Sequence, residues 1–355
     1  MKKSIALVKN TLLYRSFFRC MPFIVVTIIW YGCEKAPQKG WMTYRNDSNL
    51  SAVSDENLKT PLSLSWVYKP SHAPEPAWYE PAEELPRSQF DNAHYITTAG
   101  ERVFFGSTVD NKVYALDKNT GKEIWTYFTE GPVRTSPALW KNNVYIGSDD
   151  GYVYCLKARN GKLVWKYRAG PGERKILGNE HMISPWPVRT SILIDDGIAY
   201  FGAGVFPHEG IFICALDADN GEVIWKNDTI GDHSQELMFG GISPQGYLLC
   251  SDTILYVPSG RALPAAFDRS NGDFLYYLQP VPGWQPSHHG GTWALLNRDK
   301  LITTNERNAA PAKVVYDAGT GKLKQDAYAW YPGIDMVISP EASYIITQEE
   351  MIALD

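Results

Sequence analysis

The stretch VYALDKNTGKEIW, residues 113–125, decides the fold. It ends a strand on Leu116-Asp117, turns on Thr120-Gly121 and re-enters apolar sequence at Ile124-Trp125. Forty residues on, the chain reads VYCLKARNGKLVW (153–165); it then reads ICALDADNGEVIW (213–225), AAFDRSNGDFLY (265–276) and VVYDAGTGKLKQ (314–325). The turn glycines fall at Gly121, Gly161, Gly221, Gly272 and Gly321, in steps of 40, 60, 51 and 49. A unit of about 40 residues that recurs with insertions is the period of a propeller blade, because a repeat too small to bury its own apolar face must stack on its neighbours.

Each unit divides into four strands. The second reads VRTSPALW (133–140), NNVYIGS (142–148), YVYCL (152–156) and LVWKYR (163–168). Apolar and polar residues alternate only in part, as expected of strands sandwiched between blades. At the turn, Asp117 or Asp217 caps backbone amides just ahead of it, and the glycine supplies a positive φ without steric cost. Four residues on, Trp125, Trp165 and Trp225 stand on the outer strand; Tyr276 substitutes in the fourth unit and Gln325 breaks the pattern in the fifth. These indoles are expected to bond blade to blade, because each contributes large apolar area and needs one partner for its N–H.

The predicted architecture is therefore all-β, a propeller of four-stranded blades over residues 61–355. It has at least five full blades, and six to eight are expected in the intact protein. The segment PLSLSW (61–66) has the spacing of an outer strand lacking its first three, and MIALD (351–355) repeats VYALD and stops, so the expectation is a C-terminally truncated chain. A six-bladed ring with 61–66 as the last outer strand is the alternative. Composition agrees with one large domain of short strands and many turns: 355 residues, 44% apolar, 13% aromatic, Gly 29 and Pro 23. The net charge of −5 offers no basic footprint for nucleic acid.

The N-terminus carries Lys2, Lys3, Lys9, Arg15 and Arg19, then the apolar run MPFIVVTIIWYG and Cys33. That run is short for a membrane span and fits the apolar part of an export signal. Residues 1–33 are read as an export segment and 34–60 as a tether. Cys33 after Gly32 resembles the lipidation cysteine of bacterial lipoproteins, although Trp30 and Tyr31 are bulky for that site; an uncleaved anchor is the alternative. The chain is thus expected in the periplasm or outer cell envelope, tethered to membrane. Cys155, Cys214 and Cys250 are scattered and read as small hydrophobes, neither a disulfide framework nor a metal site.

With its five turns and three tryptophans, the sequence resembles the quinoprotein-like (PQQ-repeat) β-propellers from about residue 60 to 355. That family holds dehydrogenases that bind pyrroloquinoline quinone with calcium and propellers that bind no cofactor, such as the lipoprotein of the outer-membrane β-barrel assembly machine. In the enzymes, the resemblance implies a carboxylate and an amide on calcium, an Asp as base and often an adjacent cysteine pair. No such cysteine pair occurs here, and no residue matches the calcium ligands or the base. The expectation is a non-catalytic envelope platform without cofactor; a quinone-dependent dehydrogenase using PQQ and calcium, or a ligand-sensing or carbohydrate-binding module, is the alternative.

The longer period between Gly161 and Gly221 locates a binding face. Fifteen extra residues lie between Trp165 and Arg189 and five more in AGVFPHEG (203–210). Connections from fourth strand to next blade and from second to third strand share one face, so both insertions decorate it. The sequence PVRTS occurs at 132–136 and 187–191, placing Arg134 and Arg189 at equivalent points; Asp91 and His94 precede the first inner strand and His288 and His289 the fifth. With Trp186, Trp284 and Trp330 they compose a candidate funnel for an anionic, peptide or small ligand, or for an envelope protein. The structural reading, that the arginines and histidines pair with carbonyls and acids of neighbouring blades, is the favoured one, because residues repeated at repeated positions serve the repeat. SDDG (148–151) reads as a tight strand turn, GNEHM (178–182) makes no metal site on its own, and the Pro-rich 69–86 reads as an extended loop over the same face or as a docking segment for a partner's aromatic groove.

Overall fold

The computed structural model describes residues 40–78, 90–231, 241–260, 263–282, 291–304, 313–331, 333, 335–347 and 349–354. Four antiparallel four-stranded sheets follow in chain order. Blade 1 is β1 (Thr97–Ala99), β2 (Arg102–Gly106), β3 (Lys112–Asp117) and β4 (Glu123–Phe128). Blade 2 is β5 (Ala138–Trp140), β6 (Asn143–Gly147), β7 (Tyr152–Lys157) and β8 (Leu163–Arg168). A hairpin of β9 (Ile176–Gly178) and β10 (His181–Ile183) precedes blade 3, which is β11 (Leu193–Asp195), β12 (Ile198–Ala203), β13 (Phe212–Asp217) and β14 (Val223–Asn227). Blade 4 is β15 (Leu249–Cys250), β16 (Ile254–Val257), β17 (Ala265–Asp268) and β18 (Phe274–Tyr277).

The last two sheets have three strands each: β19 (Ala294–Asn297), β20 (Lys300–Thr304) and β21 (Lys313–Asp317), then β22 (Asp335–Ile338), β23 (Ser343–Ile346) and β24 (Met351–Leu354). The fifth blade thus differs from the four-strand expectation. Its outer strand shrinks to a single bridge, Tyr316 with Leu323, and the chain leaves through a 3-10 turn at Ala327–Trp330. Gln325, where earlier units have an aromatic ring, has no large apolar face with which to hold a strand there.

Period-two alternation places one core between each pair of blades. Tyr154 and Leu156 of β7 pack with Phe104, Val113 and Ala115 of blade 1, whereas Val153 and Cys155 face Phe201, Cys214 and Leu216 of blade 3. Middle strands, covered on both sides, are buried almost throughout; outer strands β4 and β8 are half exposed. Each of the first four hairpins joining third and fourth strands carries a register shift at the same repeat position, after Ala115, Cys155, Ala215 and Ala266.

The expected glue is an interlock between a ring and the next blade's turn. Trp125 Nε1 donates to Ala158 O at 3.0 Å, Trp165 to Ala218 O at 3.1 Å and Trp225 to Arg269 O at 3.0 Å, each acceptor three residues before the next turn glycine. Trp66 makes the same bond to Lys118 O at 2.8 Å, and the Tyr276 hydroxyl donates to Ala318 O. The glycines are needed twice over. Gly221 has φ of +77°, and a Cβ on it would meet Trp165 Cδ2 at 2.7 Å. In the turn itself, Asp117 Oδ1 accepts from the amides of Asn119 and Thr120.

Residues 41–53, within the stretch expected to be a tether, instead run along the inner strands. Thr98 N donates to Trp41 O, Leu139 N to Met42 O, Cys250 N to Ser48 O and Leu296 N to Asn49 O, and Arg45 pairs with Asp335 at 2.6 Å. One segment thus satisfies inner-strand amides of blades 1, 2, 4 and 5 and reaches blade 6. The export segment 1–33 and Cys33 lie outside the described residues; among those described, no helix is long and apolar enough to cross a membrane.

Candidate functional site

The two PVRTS segments converge on one side chain that the repeat pattern did not single out. The tight turn between β6 and β7 is pinned to both: Asp149 N donates to Pro132 O at 2.9 Å, and Val188 N donates to Ser148 O at 3.0 Å. Asp149 consequently points between the guanidinium groups. Arg134 Nε donates to its Oδ2 at 2.7 Å, while Arg189 Nε and Nη2 donate to Oδ1 and Oδ2 at 3.0 Å each. Arg134 Nη1 continues to Asp91 Oδ2 at 2.7 Å. All four side chains are sealed from solvent: Arg134 is 3% exposed, Arg189 1%, and both aspartates 0%.

Two cations and two carboxylates in one dry cluster offset each other's burial cost. Burial pushes the Asp149 carboxyl up, but the two arginines outweigh it and hold the group below the usual carboxylate range. For Asp91 the balance is reversed: burial outweighs Arg134, and its carboxyl stays above the usual range. Asp150, the neighbour in SDDG, accepts from Glu130 N, Tyr152 N and the Tyr154 hydroxyl, so the two carboxylates serve different ends of a tight turn.

The cluster is roofed by residues 75–78 of the Pro-rich segment. Glu75 N donates to Thr108 Oγ1, Arg134 Nη1 to Glu75 O, Asn179 Nδ2 to Pro76 O and Ala77 N to Asp91 Oδ2, at 2.8–3.0 Å. The Trp78 ring lies over the Arg189 guanidinium at 5.0 Å, a cation–π contact, and its Nε1 donates to Gln245 Oε1 at 2.8 Å. Even so, Arg189 Nη1 and Asp91 Oδ1 find no hydrogen-bond partner among the described residues.

Of the predicted site residues, the fold brings Asp91, Arg134 and Arg189 together. His94 sits beside them in sequence but packs on Phe105, its Nδ1 3.3 Å from Gly106 O. Trp186 belongs to the insertions: its Nε1 donates to Glu209 O, Arg174 lies over its ring at 5.7 Å, and Arg174 also pairs with Glu209, so the two insertions meet. Trp284, His288 and His289 lie outside the described residues, as does the side chain of Trp330 in its 3-10 turn. Sequence reasoning missed Asp149, Trp78 and Gln245. The available signal for Asp149 was its place opposite two identical PVRTS segments.

The first insertion forms the β9–β10 hairpin, closed by Asn179 and Glu180 at positive φ. Leu177 and Met182 face each other across it and stand 74% and 53% exposed.

The calcium implied by the resemblance needs a cluster of oxygen donors, and the described residues hold no group of three His, Cys, Asp or Glu that could supply one. Asp91 and Asp149 are engaged by arginines. Cys155, Cys214 and Cys250 are free thiols within the blade cores, where burial raises each to about 12.

Residues 77–234 match the family model described as outer membrane protein assembly factor BamB. The dehydrogenase subunit of the quinone alcohol dehydrogenase of Gluconobacter oxydans is 32% identical over 54% of this chain and 25% of its own length. Tetrathionate hydrolase of Acidithiobacillus ferrooxidans is 26% identical over 60% of this chain and 40% of its own. These alignments span less than half of either relative. The crystal structure of the quinohemoprotein alcohol dehydrogenase of Comamonas testosteroni superposes with a TM-score of 0.60 at 18% identity, covering 88% of this chain and 58% of that one. Serially stacked blades and ring-on-glycine interlocks make this chain a β-propeller, and the match over residues 77–234 shows that its repeats are similar to those of the PQQ-repeat family.

Proposed function

We propose that this propeller is a docking platform of the cell envelope with no catalysis of its own. The observation that carries the reading is the state of the funnel arginines: Arg134 and Arg189 are neutralised by Asp149 and Asp91 and roofed by Trp78. Meanwhile the insertion face projects the exposed Leu177–Met182 pair, an apolar knob on a two-stranded hairpin. Export, and lipid attachment at Cys33, belong to this proposal and rest on the charged and apolar order of residues 1–33. Site-specific photocross-linking from position 177 in cells should give a discrete envelope adduct that Met182→Asp abolishes with the fold intact. Absence of any adduct across the hairpin overturns the reading. Cys33→Ser should move the protein from the membrane to the soluble fraction.

The second reading, a quinone-dependent dehydrogenase, draws on the name of the 32% identical relative. Dye-linked alcohol oxidation by the purified chain supplied with PQQ and calcium would establish it; the platform reading predicts a rate equal to the protein-free control.

A further inference from the structure

We infer that Glu75–Trp78 is the chain's own occupant of a peptide-binding site, and that the site's external ligand is an extended partner peptide carrying an acidic residue, a proline and an aromatic residue at the strap's spacing. This deepens the platform reading and rests on it. The strap is held as a bound peptide would be. It belongs to no sheet or helix, and its contacts are those of extended-chain recognition: backbone N–H to Thr108 and Asp91, backbone C=O to Arg134 and Asn179, and one aromatic anchor on Arg189 and Gln245. Glu75 adds its carboxylate 3.4 Å from His181 Nε2, on the insertion hairpin. Pro74 and Pro76 fix φ in the free strap as in the bound one, so a peptide of this pattern loses little entropy on docking.

Two features make the strap displaceable. Only Ala77 among its residues is buried, so the apolar area opposing its release is small. The pocket also keeps two buried groups the strap does not use, Arg189 Nη1 and Asp91 Oδ1. A ligand that makes the strap's contacts and also answers these two binds better than the strap does, because leaving buried polar groups unpaired is costly. Differential affinity of this kind is what an exchange between an internal and an external occupant requires.

The test uses the full chain and a fluorescein-labelled peptide of residues 72–78, HAPEPAW. In the wild type the tethered strap competes at an effective concentration on the order of millimolar, so Trp78→Ala should bind the peptide at least tenfold more tightly by fluorescence anisotropy. The peptide HAPEPAA should lose that gain. Equal affinity of the peptide for both chains, or of both peptides for Trp78→Ala, overturns the inference. Hydrogen exchange on the wild type provides a check that needs no variant. The Ala77 amide should exchange at least 100-fold faster than the Ala215 amide inside β13, and equal protection would make the strap a fixed part of the fold. Because cross-linking from position 177 reads the platform without touching the strap, the two proposals fail separately.

Discussion

The outer rim and the funnel hold the same blades together by opposite means. At the rim, one device is used five times, four times from blade to next blade and once by Trp66 of the segment before blade 1: a ring lies on a turn glycine and hydrogen-bonds the carbonyl three residues before it. At the funnel, a single cluster of Arg134, Arg189, Asp149 and Asp91 joins the entries of three blades. Repetition spreads stability over many modest, nearly independent contacts. A buried ionic cluster concentrates it, since removing one member strands the charges of the others.

The largest effect should therefore come from the funnel. Asp149→Asn leaves two buried guanidinium groups facing an amide and should cost about 3–5 kcal/mol in chemical denaturation. Its pH dependence has a definite sign. Asp149 is held below its unfolded value when folded, so its contribution is complete above the ordinary aspartate range and is lost as pH falls below it. Asp91, held above, works the other way, favouring the folded state as it takes up its proton. The stability gap between wild type and Asp149→Asn should thus narrow on acidification below the ordinary range; a constant gap would mean that Asp149 acts only through packing.

Rim substitutions should be smaller and local. Trp165→Ala removes a half-buried indole between blades 2 and 3 and should cost about 2–3 kcal/mol, less than full burial would give. Trp66→Ala should cost less again, because blade 1 alone lies against that ring among the described residues. If Trp165→Ala exceeded Asp149→Asn, the contrast between distributed rim and concentrated funnel would be wrong. Gly221→Ala forces a Cβ onto Trp165 at positive φ and should cost about 1–3 kcal/mol. Adding Gly221→Ala to Trp165→Ala should cost less than adding it to wild type, because the ring it strikes is gone.

This contrast also accounts for what could be read in advance. The rim was legible because Asp117, Gly121 and Trp125 recur with fixed offsets, and the fold follows from stacking those units. The fifth outer strand failed where Gln325 interrupts the motif. In the funnel, PVRTS exposed the arginines through duplication, but their partner was hidden. The position of Asp149 in SDDG corresponds to Thr108 in the first unit, so comparing units there reads as turn chemistry alone. Gln245 stands four residues before β15, as Arg134 and Arg189 stand before β5 and β11, but the PVRTS motif is lost there and hides the equivalence; Trp78 lies in a segment with no repeat to compare. Residues 41–53 carry no strand periodicity because they bond edge-on to several blades, and a sequence pattern reports faces, not edges.

The account depends most on a funnel whose charges are already answered. Titrating the purified full chain with pyrroloquinoline quinone in the presence of calcium, and following the quinone absorbance, tests this directly. The account predicts an unchanged quinone spectrum at every ratio; a saturable shift with one quinone per chain would contradict it.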